Sequence, residues 1–223
     1  MEALNAKLRD GLAALDLSLS DAQVNDLLNY QALIGKWNKV YNLTAVRDPA
    51  EMLTHHLLDS LAVIAPLRRQ LAQMQLAEGK ALRLLDVGSG AGLPGVVIAI
   101  CCPEIRVDCV DTVGKKAAFI QQVAVALKLG NLRGLHARVE TLTDRYQVIS
   151  SRAFASLIDF TNWSAQALAP PRGVWMAMKG KHPADELAVL SPDVQVFHVE
   201  HLQVPGLDAE RCLIWMKPVD HNA

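Results

Sequence analysis

Hydrophobic positions in the first third of the chain fall at helical spacing. Leu4, Leu8, Leu12 and Leu15 recur every three or four residues, which lines one face of a helix. Ser20 followed by Gln23 is a capping box and predicts a helix from Asp21 to about Trp37. The stretch 38–47, NKVYNLTAVR, reads as a loop. Asp48-Pro49-Ala50-Glu51 is a second capping box with proline at the first helical position. It predicts a helix to about Ile64 that stops before Pro66, since proline disfavours helix in the residue preceding it. A last helix, 67–76, leads into a linker, 77–80. From Ala81 onward the pattern changes. Apolar runs at 82–87, 106–111, 132–137, 145–150, 173–178, 194–203 and 211–217 read as strands, with helices at 94–102, 114–128, 156–169 and 183–190. Such alternation argues for a mostly parallel sheet covered on both faces. The last two strands are joined only by Pro205-Gly206-Leu207-Asp208, too short for a parallel crossover, so they form an antiparallel hairpin. The expected organisation is an N-terminal helical extension, 1–78, followed by an α/β domain, 79–223.

Within that domain the stretch Leu84 to Gly95, LLDVGSGAGLPG, is a strand, a glycine turn and the start of a helix. This is the arrangement of a nucleotide cofactor site: glycines let the backbone turn sharply near a ligand, and the helix N-terminus offers N–H groups and partial positive charge. Gly90, Gly92 and Gly95 alone also satisfy the nicotinamide pattern. The fuller form, with Asp86 two residues before Gly88, is similar to the first motif of Rossmann-like methyltransferases that use S-adenosylmethionine. A second acid, Asp111, ends the next apolar run 23 residues after Gly88. That is close to the ~20 expected for an acid that accepts from ribose hydroxyls. Seven strands ending in an antiparallel pair is also the layout of these methyltransferases.

Composition narrows the field. Half the 223 residues are hydrophobic, enough for a sizeable core, and the formal net charge is −1, so any nucleic-acid surface must be local. The opening MEALNAKLRD is polar and mixed in charge, unlike a secretory signal, and no segment has the apolar length of a bilayer span. Cys101, Cys102, Cys109 and Cys212 include no Cys-x-x-Cys pair and are expected to be small buried residues in a reducing cytoplasm.

Five stretches, NLTAVRDP (42–49), HLLDS (56–60), DVGSGAGLPG (86–95), SRAFAS (151–156) and MKG (178–180), occur in the order found in one family. The chain resembles the RsmG/GidB family, bacterial methyltransferases that act on guanine N7 in the RNA of the small ribosomal subunit. The second acid, in VDTVGKK, also matches. The resemblance covers nearly the whole chain. It implies a Rossmann-like fold, S-adenosylmethionine as cofactor, 16S ribosomal RNA or the small subunit as partner, 7-methylguanosine as product, and cofactor contacts from Gly88, Leu93, Val139, Glu140 and Arg152. A cytoplasmic monomer is expected.

Each of these residues has a physical reading. Gly88 permits close backbone approach, and Leu93 can pack on the apolar part of a ligand. Val139 and Glu140 follow the third strand, where an amide and a carboxylate can read adenine; alternatively Glu140 is a solvated cap acid. Arg152, at the end of the fourth strand, suits either a cofactor carboxylate or an RNA phosphate, or is an ordinary surface arginine. Lys179 and Lys181 are candidate phosphate contacts or solvated lysines. Asn42 and Thr44 lie on a loop able to fold over the site, or serve local turn chemistry. His56 and Asp59, three apart, can pair in a positioning role. Lys36, Lys39, Arg47, Arg68 and Arg69 supply local positive charge, of which a subset can follow RNA backbone.

The chain lacks the Asp/Asn-Pro-Pro-aromatic motif used on exocyclic amines and any cysteine placed to attack a pyrimidine ring. Guanine N7 has a free lone pair and no proton, so no catalytic acid, base or metal is expected; the task is positioning in a water-shielded site. Two rival readings are an NAD-dependent oxidoreductase and a non-catalytic ribosome-assembly or RNA-binding protein with a vestigial cofactor fold.

Overall fold

A computed structural model describes residues 2–74 and 81–220. The predicted end of the helix at 75–76 and the linker 77–80 lie outside the described residues. The N-terminal part forms α1 (Glu2–Ala14), α2 (Asp21–Tyr41), α3 (Pro49–Met52), a π-helical turn (Leu53–Leu58), α4 (Asp59–Leu61) and α5 (Ile64–Gln73). The sheet comprises β1 (Arg83–Val87), β2 (Arg106–Asp111), β3 (Leu132–His136), β4 (Val148–Arg152), β5 (Val174–Lys179), β6 (Val194–His201) and β7 (Cys212–Pro218). Between the strands run α6 (Gly95–Cys101), α7 (Gly114–Ala126), α8 (Leu157–Ser164) and α9 (Ala184–Ala188). Strand order is β3-β2-β1-β4-β5-β7-β6, with β7 antiparallel to both neighbours and the other pairings parallel. The order reverses between β1 and β4, so a crevice opens at their carboxyl ends, where open α/β sheets bind ligands.

Alternation along the strands sends side chains to opposite faces. Leu84 joins a core built with Leu8, Leu27, Ile34 and Leu57 of the N-terminal helices and with Ile98 and Phe119 of α6 and α7. Leu85 and Val87 join a second core with Leu157 and Phe160 of α8 and Trp175 of β5. The N-terminal helices therefore help to cover one face of the sheet. All four cysteines are free and buried.

The structure corrects several boundaries. Helix α2 runs on to Tyr41 and ends at Asn42 in the left-handed conformation, φ 49°. Asn38 is not a loop residue: it is buried, and its side chain accepts from Thr44 N at 2.9 Å and donates to the Val46 carbonyl at 3.4 Å, which ties down the following loop. The predicted 48–64 helix is interrupted by the π-helical turn and breaks at Ala62–Val63. Pro66 lies inside the first turn of α5, where its missing N–H removes no internal bond. Strand β4 begins at Val148 instead of 145 and extends through polar residues to Arg152. Ser150 is tolerated there because its hydroxyl donates to Asp86 Oδ1 at 2.8 Å. The β6–β7 connection is residues 202–211, longer than the four-residue link expected.

Candidate functional site

The glycine turn after β1 is held from three sides. Asp86, fully buried at the strand end, accepts from the Gly95 amide at 3.0 Å and from Ser150. Gly95 must be glycine, because a Cβ there would collide with Cys109 Sγ and with Asp86. Burial raises the Asp86 carboxyl to about 6 although Ser150 and the Gly95 amide favour its charged form. Asp111, at the end of β2, accepts from the Gly90 amide at 3.1 Å and the Val113 amide at 2.8 Å, with Lys116 at 3.7 Å. From the N-terminal helices, the buried Tyr30 hydroxyl donates to the Ala91 carbonyl at 2.7 Å. Gly90 itself has φ +59°, and a Cβ built on it would meet no heavy atom within 4 Å. Its open side belongs to a cavity of about 550 Å³, a usual size for a small-molecule site.

That cavity brings together Thr44, Gly88, Leu93, Arg152 and Lys179 from among the residues singled out in sequence, together with His56 and Asp59. Asn42, Asp111, Val139 and Glu140 do not line it. Asn42 is exposed, with Arg47 3.5 Å from its side-chain oxygen. Val139 is buried in a short 3₁₀ turn after β3, and Glu140 accepts from Arg138 at 3.1 Å.

The π-helical turn sets the opposite wall, and such turns recur at functional sites. It carries His55 and His56 and delivers the chain to Asp59. The expected His56–Asp59 pair does not form. Asp59 is buried and accepts from Arg152 at 2.8 Å and from Arg211 Nε at 2.7 Å, so both carboxylate oxygens are occupied by guanidinium groups. Arg152 also donates to the His55 carbonyl at 3.0 Å. His56 turns instead to Thr44, with Nε2 and Oγ1 2.6 Å apart, while Nδ1 is buried without a partner. Burial and then the Arg152 charge lower the imidazole below its ordinary range, which favours the neutral ring. Lys179 is not a free cation: it donates to both Glu186 oxygens, at 2.9 and 2.8 Å, and to the Ala155 carbonyl at 3.2 Å. The 152–156 loop is further marked by positive φ at Ala153 and Ala155, and the Phe154 ring lies over Gly88.

Sequence reading missed Arg211 and the anchoring roles of Tyr30 and Ser150. Arg211 stands 152 positions from Asp59, and no local pattern links them.

The family model described as rRNA small subunit methyltransferase G matches residues 23–214. The chain belongs to the GidB family. A relative from Polaromonas sp. strain JS666, named ribosomal RNA small subunit methyltransferase G, is 71% identical over 210 residues, 94% of this chain and 92% of the relative. One of the same name from Polaromonas naphthalenivorans strain CJ2 is 67% identical over 216 residues, 97% of this chain and 96% of the relative. Among solved structures, TrmN from Thermus thermophilus superimposes with a TM-score of 0.55 at 18% identity, over 75% of this chain and 53% of that one. A SAM-dependent methyltransferase from Aquifex aeolicus gives 0.54 at 15% identity, over 77% and 99%. These likenesses show that the GidB chain has the Rossmann-like methyltransferase fold.

Proposed function

We propose that this cavity binds S-adenosylmethionine and that the chain transfers its methyl group to N7 of a guanosine in 16S ribosomal RNA. Membership of the GidB family supports ribosomal RNA as the substrate. The observation that carries cofactor binding is the left-handed, open Gly90 facing a cavity at the switch point of the sheet. When bound there, S-adenosylmethionine supplies an electrophilic methyl group. Gly88 and Gly90 give it backbone to approach, Leu93 an apolar wall, and Arg152 a guanidinium for a carboxylate. The adenosine part extends beyond the cavity, past Gly90 toward the ends of β2 and β3; there Asp111, outside the cavity lining, serves the ribose, since each of its oxygens keeps acceptor capacity beyond the amide bond it already makes. Val139 and Glu140 serve the adenine from the end of β3. On the RNA side we assign Thr44 and Asn42 to the loop that meets the nucleotide, with Lys179 as a support of the 152–156 loop. The chain acts as a monomer in the cytoplasm.

Methylation at N7 needs no base, so none of the proton acceptors lining the cavity, His55 and His56 included, is assigned a proton-transfer role. Asp59 is the one carboxylate lining the cavity among the described residues, and both its oxygens are taken by arginines. N7 carries no proton to remove, so such a site suffices. The product has a formal positive charge on the imidazole ring and is open to reduction. Ribosomal RNA methylated by the protein is expected to break at one guanosine after borohydride and aniline treatment, whereas RNA from cells lacking the protein stays intact there. Label transfer without cleavage would assign the methyl group to another atom.

A further inference from the structure

The five N-terminal cations singled out in sequence part company in the fold. Arg68 donates to the Cys101 carbonyl at 2.9 Å and Arg69 to Glu200 at 2.6 Å, so both are tied to the body of the molecule. Lys36 and Lys39, exposed on the last turns of α2, make no hydrogen bond or ion pair among the described residues. Arg47, also exposed, lies just beyond, its guanidinium reaching back to Asn42. Along the chain no acid falls between Asp26 and Asp48, so Lys36 and Lys39 have no acidic sequence neighbour; Arg47 adjoins Asp48, whose carboxylate is engaged by the Ala50 and Glu51 amides. The whole protein has a net charge of −1. Attraction for a polyanion must therefore come from a local patch of this kind.

Apolar surface accompanies the charge. Val40 is 71% exposed and Tyr41 38% exposed. The Tyr41 ring sits 5.1 Å from Trp37, which in turn packs 5.4 Å from buried Phe119. Tyr41 is thus braced from behind while part of it faces solvent. Immediately after it, Asn42 turns the chain, and Leu43 and Thr44 enter the wall of the cavity.

We propose that the carboxyl end of α2 is a docking surface for single-stranded ribosomal RNA. Lys36, Lys39 and Arg47 hold backbone phosphates, a base stacks on Tyr41, and the strand continues over Thr44 into the cavity. Phosphate-tracking cations beside an aromatic platform are the combination that holds single strands. The proposal rests on the reading of the chain as acting on ribosomal RNA.

The test is direct binding of a 16S ribosomal RNA transcript across a salt series, for wild type, K36A/K39A, Tyr41→Ala and Tyr41→Phe. With two cations fewer to neutralise phosphates, K36A/K39A is expected to bind about tenfold more weakly and to flatten the slope of log affinity against log salt by about 1.4. Tyr41→Ala is expected to bind about tenfold more weakly, and Tyr41→Phe to keep the wild-type affinity. S-adenosylmethionine affinity stays at the wild-type value in all three. Wild-type affinity and slope in K36A/K39A would overturn the proposal. So would variants that bind the transcript normally but the assembled small subunit weakly, since the surface would then dock protein. Methyl transfer by the wild type is scored separately: its absence defeats the proposed activity, while the binding series still decides the docking surface.

Discussion

At the amino ends of the strands, Arg83 and Arg133 close on Asp108 and Asp144; at the carboxyl ends, Arg152 and Arg211 close on Asp59. The ingredients are alike and the settings are not. Asp108 accepts from Arg133 at 2.7 and 2.6 Å, from Arg83 at 3.1 Å and from the Tyr146 hydroxyl at 2.8 Å. Burial pushes the Asp108 carboxyl up, but hydrogen bonds from Arg133, Tyr146 and Arg83 outweigh that and hold it below its ordinary range. Residues of three parallel strands and one loop are fastened together there. The Asp59 cluster instead joins a π-helical turn, a strand end and the β6–β7 connection around a cavity, next to an imidazole nitrogen with no partner. Ion pairs alone thus do not mark a site. The Asp108 cluster also lines a cavity, of about 360 Å³; what distinguishes the second cluster is that its larger cavity opens at the switch point beside the glycine turn.

Removing each central acid should separate the two roles. Asp108→Ala is expected to cost about 1–3 kcal/mol of stability by leaving the Tyr146 hydroxyl without its acceptor and the two arginines with Asp144 alone. Its S-adenosylmethionine affinity should stay at the wild-type value. Asp59→Ala should lose methyl transfer even where the chain is fully folded, because Arg152 loses its anchor. Urea unfolding, calorimetric cofactor titration and a methyl-transfer assay together read both, and an Asp108→Ala protein with normal stability or an Asp59→Ala protein with normal methyl transfer would erase the contrast. Gly90→Val should weaken cofactor binding by about 100-fold or more at unchanged helical content, since a β-branched residue resists positive φ and its side chain would enter the cavity.

Asp86 sharpens the comparison through pH. Its carboxyl rises from 3.8 to about 6 in the folded chain, so the native state holds the proton more tightly than the unfolded one. The associated stability is fully present below the unfolded value and is lost as pH rises through about 6. Relative to Asp86→Asn, wild type should lose about 2 kcal/mol between about pH 4.5 and about pH 7.5. Parallel stability profiles of the two proteins would show that Asp86 is not the group responsible. At Asp111, alanine should weaken cofactor binding by about 1.5–3 kcal/mol. Unchanged affinity by calorimetry would move the ribose contact to another residue.

The sequence by itself determined the order of strands and helices, the glycine turn with Asp86 and Asp111 at strand ends, the antiparallel finish and the family. Each is encoded within a few residues: alternating or helical spacing, a capping pair, glycines where a side chain would clash. Only the tertiary structure decided how those pieces close on one another. Tyr30 reaches Ala91 across 61 residues, Arg152 reaches Asp59 across 93, and Lys179 is drawn to Glu186. His56 leaves its neighbour Asp59 for Thr44, and Asn38 becomes a buried anchor in a stretch that reads as polar loop. Such contacts follow from the packing of apolar faces, which brings together residues that no local period connects. Burial then decides which acids, arginines and histidines find partners and which are left facing the cavity or the solvent.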